Sequence, residues 1–105
     1  MCPTVVFRAG KPVLAVGARG GRRIPNCVLG ILLNFCGLKR SLQESVSAPR
    51  MHTEGGMRLQ LDDPLSAQPI AFLGKLGYEI VRGPVAVASA VPADPSTGQF
   101  VAAER

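Results

Sequence analysis

The amino-acid sequence predicts an α+β fold in one domain, with mainly antiparallel strand pairing. Three observations lead to this prediction. Two β-rich runs stand close together near the N-terminus, a segment of helical period follows them, and short strand-like runs return in the second half. A chain of 105 residues is long enough to bury one modest core.

The first two runs predict a β-hairpin. They cover residues 4–7 and 12–16, and both are rich in apolar and β-branched side chains. Residues 8–11 between them include Gly10 and have the composition of a tight turn. Because neither run alternates polar with apolar residues, we expect both faces of this hairpin to be covered.

A longer helix is predicted after the hairpin, because the hydrophobic period changes at Ile24. From there to Phe35 the apolar residues recur at helical spacing. Pro25 suits the first turn of a helix and Gly37 suits its end. Since the opposite face is apolar as well, we expect this helix to be largely buried.

Shorter elements complete the predicted fold. A capping-box pattern from Ser41 to Glu44 opens a short helix that stops before Pro49. A third helix is predicted from Ser66 to about Leu76, ended by a glycine. Strands are predicted at residues 57–62, 79–82, 85–91 and 99–102, with a turn over 92–98.

Composition and charge disfavour several classes of protein. Hydrophobic residues make up 47% of the chain and charged residues 18%, which disfavours disorder. Residues 1–50 hold eight cations and one acid, whereas residues 51–105 hold four cations and six acids. With one Tyr and no Trp there are few aromatic rings for base stacking, so we expect no nucleic-acid partner. The low charged fraction predicts apolar surface that something else covers.

The cysteines and the apolar segments indicate neither a metal site nor a membrane span. Cys2, Cys27 and Cys36 are an odd number without C-x-x-C spacing, so we expect no zinc, no disulfide framework and no cofactor. The N-terminal residues lack the plan of a signal peptide. The most apolar run, residues 24–38, is too short to cross a bilayer. We expect no membrane partner, and the sequence assigns no compartment.

The loop G-A-R-G-G-R-R, residues 17–23, is the segment best suited to chemistry. Gly20 and Gly21 allow the backbone to turn its N–H groups outward. The following helix N-terminus, together with Arg19, Arg22 and Arg23, adds positive charge. Such a loop suits an anion, or an oxygen that becomes anionic during a reaction. The P-loop and dinucleotide patterns are absent, and the alternative is a connection that only needs unusual backbone angles.

Collinear motifs resemble those of the γ-glutamyltransferase family. They are M-C-P-T-V-V at residues 1–6, G-K-P at 10–12, G-A-R-G-G-R-R-I at 17–24, S-L-Q-E…A-P-R at 41–50, G-Y-E-I at 77–80 and the run at 100–103. The matches extend over nearly the whole chain. Residues 1–105 are therefore similar to a single piece from the C-terminal part of that family's small subunit.

The resemblance implies part of an αββα sandwich of the N-terminal-nucleophile hydrolase type. In that family a threonine exposed by self-cleavage attacks a γ-glutamyl amide, such as that of glutathione, and the acyl group passes to water or to an amine. The family's Gly-Gly pair supplies oxyanion-hole N–H groups and corresponds to Gly20 and Gly21, the candidate catalytic residues. Arg19 stands where the family has proline and Arg22 where it has serine. These two cations are candidate substrate-binding residues and change which substrate charge the loop tolerates.

The same resemblance places the threonine and the preceding S-S pair upstream of Met1. We therefore expect this chain alone to be inactive and to need a partner, namely the upstream segment that contains the large subunit and the nucleophile. Two alternatives remain open. One is a stand-alone, non-catalytic module that binds a small anionic ligand. The other is a structural piece that pairs with a separate chain or forms homo-oligomers.

Other reactive residues have plainer interpretations. Removal of Met1 would expose Cys2 as an N-terminal thiol, but the position corresponds to an internal, variable one in the family. Thr4 is expected to be structural. His52, the only histidine, is expected on a surface loop. The pair Asp62 and Asp63 is expected in a solvated turn.

Overall fold

The computed structural model describes residues 2–93 and 103–104, which form a mixed α+β fold with two small sheets. The strands described are β1 (Thr4–Arg8), β2 (Lys11–Arg19), β3 (Met51–His52), β4 (Arg58–Leu61), β5 (Glu79–Arg82), β6 (Val87–Pro92) and β7 (Ala103–Glu104). The helices described are α1 (Ile24–Leu32), α2 (Leu42–Ser47) and α3 (Ala67–Lys75). A 3-10 turn (Gly21–Arg23) precedes α1, and a π-helical turn (Leu33–Gly37) follows it.

The first sheet has the order β1-β2-β6-β7, and all its pairs are antiparallel. The predicted hairpin is confirmed as β1 and β2. Its two turn residues, Ala9 and Gly10, have φ of 49° and 76°. Positive φ at both central residues gives the turn the twist that suits a two-residue hairpin.

The second sheet has the order β3-β4-β5, with β4 and β5 parallel. Parallel neighbours need a crossover connection, and α3 lies in the chain between these two strands. The predicted half-buried strand is confirmed in β4, where Leu59 and Leu61 are buried and Arg58 is exposed. Strand β3 was not predicted, because two residues are too few to show a period.

The core lies between the first sheet and helices α1 and α2, which pack on the same face of that sheet. Leu14, Val16 and Ala18 of β2 point into it and are buried. On the other face Val5 and Phe7 are 53% and 62% exposed. The prediction that both faces are covered is wrong for the described chain, because its helices cover only one.

Helix α1 is buried along one face only. Ile24, Cys27, Val28 and Ile31 lie in the core, whereas Leu29 is 54% exposed. The prediction of a largely buried helix is therefore wrong. The apolar outer face of α1 has no covering layer within the described residues.

The signals at the ends of the helices are largely confirmed. Ser41 and Glu44 form both bonds of the predicted capping box at the start of α2. Ser66 occupies the N-cap of α3, although its side chain makes no capping hydrogen bond. Gly77 follows α3 with φ of 93°. The strand predicted at 99–102 and most of the turn predicted at 92–98 lie outside the described residues.

Among the residues that the structure describes, no helix has the length and apolar character needed to cross a membrane.

Candidate functional site

The glycine loop lies between the end of β2 and the start of α1. Gly20 and Gly21 have φ of 141° and 62°, a region that residues with a Cβ rarely adopt. The Arg23 N–H donates to the Gly20 carbonyl at 3.3 Å and closes the 3-10 turn. The N–H groups of Gly21 and Arg22 precede the first bond of this turn, and no described residue accepts from them. The loop therefore has two backbone donors without an acceptor among the described residues, in the 3-10 turn that precedes α1.

Gly20 and Gly21 meet different surroundings. A Cβ on Gly20 would lie 2.8 Å from the Ala86 Cα, closer than such atoms approach in proteins. A Cβ on Gly21 would meet nothing within 4 Å. Gly20 thus fixes the loop against the segment before β6, while Gly21 has open space around it.

The two candidate substrate-binding arginines are both exposed. Arg19 ends β2, on the face of the sheet opposite the core. The Arg22 side chain is 84% exposed, and its Nη1 lies 3.4 Å from Glu54 Oε2. An ion pair this exposed contributes little stability, so the Arg22 guanidinium can be recruited by another anion.

Arg50, which ends the A-P-R motif, binds Ala86, the residue against which Gly20 packs. Arg50 is only 7% exposed. Its Nη1 donates to the Ala86 carbonyl at 2.6 Å, and its Nη2 donates to the Val46 carbonyl at 2.8 Å. Its backbone N–H donates to Asp62 Oδ1 at 2.7 Å. Ala86 therefore contacts both Gly20 and Arg50. Arg50 belongs to a sequence motif, but only its tertiary contacts show what its side chain does.

Asp62 corrects the prediction of a solvated turn. Its Oδ1 accepts from the Arg50 N–H and, at 2.8 Å, from the Asp63 N–H, and both aspartates are half-buried. A carboxylate that accepts two backbone bonds fixes a chain turn rather than standing free in water.

His52 lies in β3 and is only 5% exposed, so the prediction of a surface loop is wrong. Its Nδ1 lies 3.1 Å from Asn26 Nδ2 on α1, and the same Asn26 amide donates to the Thr53 carbonyl at 3.4 Å. His52 Nε2 lies 3.5 Å from Glu54 Oε1. Sequence patterns missed this group, since β3 is too short to show a period. The one signal was Asn26, a lone polar residue early in an apolar helix.

A cavity of about 390 Å³ lies beside the loop and includes the buried imidazole. Its lining also contains three arginines, Arg23, Arg58 and Arg82, and one carboxylate, Glu54. An apolar groove of about 380 Å³ lies on the other side of α1, where Leu29, Leu33 and Met51 contribute to its walls.

The cysteines are dispersed. Cys2 is exposed, Cys36 is partly exposed, and Cys27 is buried with its Sγ 3.8 Å from the Ala86 carbonyl. Burial raises the pKa of the Cys27 thiol, although the nearby Arg50 opposes this. Within the described part of the chain no three His, Cys, Asp or Glu side chains cluster as metal ligands would.

The family model described as Gamma-glutamyltranspeptidase matches residues 1–104. The glutathione hydrolase proenzyme of Bacillus subtilis (strain 168) is 28% identical over 102 residues, which cover 95% of this chain and 17% of that protein. The acylase ACY 1 proenzyme of Pseudomonas sp. (strain SE83) is 34% identical over 84 residues, 80% of this chain and 15% of that protein.

A similar structure covers the whole chain. A mutant of Helicobacter pylori gamma-glutamyltranspeptidase matches with a TM-score of 0.88 and 33% identity, over 100% of this chain and 58% of that one. The chain spans only 15% to 17% of the length of the curated relatives named above. The matches in sequence and in fold agree: this chain belongs to the gamma-glutamyltranspeptidase family.

Proposed function

We propose that this chain supplies the oxyanion-binding loop of a γ-glutamyl hydrolase or transferase, with Gly20 and Gly21 as donors. Residues 1–105 would form a single piece from the C-terminal part of the small subunit, and the nucleophilic threonine would come from a segment outside this range. The observation that supports this most is the N–H group of Gly21, which has no acceptor among the described residues and lies in the 3-10 turn before α1, in a chain of this family.

The proposed chemistry is acyl transfer. The threonine hydroxyl attacks the γ-glutamyl carbonyl, and its own amine takes the proton and passes it to the leaving amine. The carbonyl oxygen becomes an oxyanion in the tetrahedral intermediate, where N–H donors at hydrogen-bond distance stabilise it. Water or an acceptor amine then releases the acyl group. The loop acts without titrating, because backbone N–H groups donate at every pH.

Arg19 and Arg22 would bind the charged parts of the substrate. Both guanidinium groups are exposed next to the glycines, and the partner of Arg22 among the described residues is the surface carboxylate of Glu54. We propose that they favour substrates with an additional anionic group near the scissile amide.

The open face of the first sheet fits an incomplete sandwich. Helices α1 and α2 cover one face, and Val5 and Phe7 stand exposed on the other. We propose that a second sheet from outside residues 1–105 packs on this face and completes the αββα arrangement.

The decisive test joins this chain to the upstream segment of a relative, as a second chain or a fusion, and substitutes Gly21→Val. A β-branched residue cannot hold φ near 62°, so the N–H groups should reorient. Loss of one oxyanion donor typically costs roughly 2.7–4 kcal/mol of barrier, and we expect kcat to fall accordingly with little change in substrate affinity.

Gly17→Ala is the matched control, because Gly17 lies within β2, ahead of the glycine pair, and has room for a Cβ. It should leave kcat nearly unchanged. If Gly21→Val weakens substrate binding and leaves the chemical step intact, the loop docks an anion instead. If Gly21→Val changes neither kcat nor the substrate affinity, the glycine pair is only a turn.

A further inference from the structure

We infer that the chain contains a second anion site, separate from the oxyanion loop, in the cavity between the 3-10 turn and the second sheet. We call it the His52 cavity and define it by Arg23, His52, Glu54, Arg58 and Arg82, all of which line it. Its ligand is a small oxyanion, either a phosphate or a carboxylate. The inference does not depend on the proposed catalytic role of the loop.

The hydrogen bond between His52 and Asn26 fixes which ring nitrogen of the neutral imidazole has the proton. The Asn26 amide nitrogen can only donate, so His52 Nδ1, 3.1 Å away, accepts from it. The neutral imidazole then has its proton on Nε2. This buried Nε2 has no hydrogen-bond acceptor among the described residues, and Glu54 Oε1 stands 3.5 Å from it, beyond good hydrogen-bonding distance.

Arg23 adds a second buried donor to the same cavity. Its Nε is fully buried and also has no acceptor among the described residues. A buried donor without an acceptor costs about 1–3 kcal/mol in general. Both residues line the same cavity, and an oxyanion that takes the place of the Glu54 carboxylate would offer acceptor oxygens to both donors.

The charge of the cavity has the sign that an oxyanion needs. Three arginines face one carboxylate, which leaves an excess of two positive charges. Arg58 and Arg82 are exposed and can reach the ligand from the cavity mouth. The volume of about 390 Å³ exceeds what a single phosphate needs and leaves room for an attached group.

Glu54 competes for the site in the absence of ligand. Its two carboxylate oxygens lie 3.4 Å from Arg22 Nη1 and 3.5 Å from His52 Nε2, so neither contact is tight. A bound oxyanion would displace this carboxylate by repulsion. Because Arg22 belongs to the glycine loop, occupancy of the cavity would also release Arg22 from Glu54.

The test titrates the 105-residue chain, with Val5→Thr and Phe7→Ser on its exposed face to limit self-association, with inorganic phosphate and, separately, with succinate, while NMR follows the imidazole of its only histidine. We expect a saturable shift of the His52 signals with at least one of the two anions. The better binder identifies the ligand as a phosphate or a carboxylate. If neither anion gives a saturable shift, the site does not exist.

Charge variants separate this site from general attraction to a basic protein. Arg23→Gln should weaken anion binding about tenfold, the loss expected for one charge-assisted bond. Arg8→Gln removes the same charge from the exposed end of β1 and should change the affinity by less than about twofold. Equal effects of the two variants would overturn the proposal.

Glu54→Gln keeps the proposal testable if Arg23→Gln disturbs folding, because Glu54 is exposed and its contacts with Arg22 and His52 are loose. Removal of the competing carboxylate should tighten anion binding several-fold. Unchanged or weaker binding in Glu54→Gln would also overturn the proposal.

Discussion

At the scale of single residues, Ala86 is the point where the loop meets the core. Its Cα lies directly behind Gly20, and its carbonyl accepts from the buried Arg50 guanidinium and lies within reach of the Cys27 thiol. The position of the glycine pair is therefore set from a segment more than sixty residues later in the chain. Each of these contacts has a measurable consequence.

The two loop glycines should differ in their effect on stability. Gly20→Ala forces a Cβ against the Ala86 backbone at a strained φ, and we expect it to lower the free energy of unfolding by about 3 kcal/mol. Gly21→Ala meets no atom and should lose only about 1 kcal/mol, the strain of a left-handed alanine. Urea unfolding of both variants checks the order, and equal losses would contradict it.

Replacement of Arg50 should lower the free energy of unfolding, even when the new side chain has a similar size or the same charge. Arg50→Met removes the charge-assisted donors from the buried carbonyls of Ala86 and Val46, so we expect the free energy of unfolding to fall by about 2–4 kcal/mol. Arg50→Lys should recover little of this, because an ammonium lacks the planar fork that reaches both oxygens. The exposed Arg40→Met is the matched control for thermal unfolding. Full rescue by lysine would show that charge alone matters at this position.

The three thiols should react with a disulfide reagent in order of exposure. Cys2 should react fast, Cys36 more slowly and Cys27 only after unfolding. Burial raises the pKa of Cys27, so its thiolate is scarce near neutral pH. The Cys27 thiol therefore favours the folded state below its ordinary pKa and loses that effect as the pH rises through the folded pKa. Fast reaction of Cys27 in the native chain, with Cys27→Ala as control, would contradict the buried position.

At the scale of elements, local sequence and local structure agree where a few neighbouring residues form the whole motif. The capping box of α2 and the two-residue turn of the hairpin are both of this kind. They differ in how well the residue types suit the geometry. Ser41 and Glu44 are residue types that favour a capping box. Ala9, by contrast, has positive φ, which alanine adopts less readily than asparagine or glycine.

A substitution at Ala9 should therefore be able to stabilise the hairpin turn. Ala9→Asn places a residue that tolerates positive φ at the first turn position and creates the Asn-Gly pair typical of this turn. We expect a gain of about 0.5–1 kcal/mol in the free energy of unfolding. Ala9→Val, with a β-branched side chain at the same φ, should do the reverse. A gain from valine would mean that the turn rearranges.

The capping box should give α2 a pH dependence. The Glu44 carboxylate accepts from the Ser41 hydroxyl at 2.7 Å and from its N–H at 2.9 Å, which lowers the pKa of Glu44. A lowered folded pKa stabilises the protein above the ordinary value and loses this effect as the pH falls through the folded one. Ser41→Ala should cost about 1 kcal/mol near neutral pH. The difference from the parent should shrink in acid, as thermal melting at two pH values would show.

At the scale of the whole molecule, the chain has more surface than its mass requires. Its accessible surface is 6784 Å², whereas about 5600 Å² is expected for a compact protein of 11.0 kDa. Val5, Phe7, Leu29 and Leu33 are among the large apolar side chains left exposed. The covering layer that the low charged fraction predicts is not found in the described residues, and the family's greater length offers a source for it.

The chain expressed alone should therefore associate with itself and bind an apolar dye. We expect Phe7→Ser together with Val5→Thr to reduce dye binding, because both side chains lie on the open face of the first sheet. The upstream segment of a relative should have the same effect on the unchanged chain. Light scattering and dye fluorescence measure both, and a monodisperse chain without dye binding would show that the open face needs no cover.

Under the proposed function the chain alone should also fail to hydrolyse γ-glutamyl anilides, since an oxyanion loop retains little catalysis when the nucleophile comes from another segment. Turnover that disappears in Cys2→Ser would contradict this and identify the exposed N-terminal thiol as a nucleophile. Turnover unaffected by that change would point to a contaminant.

The sequence alone determined the family of the chain. It also determined those elements whose sequence signals extend over only a few residues. The hairpin, the ends of the helices and the glycine loop follow from turn and capping chemistry and from hydrophobic period, because those interactions join near neighbours. Tertiary structure decided the rest. Which face of α1 is buried, the short strand β3, the burial of His52 against Asn26 and the contact of Gly20 with Ala86 all join residues distant in sequence. No local pattern encodes such contacts, because the free energy of burial and of buried hydrogen bonds depends on which segments meet.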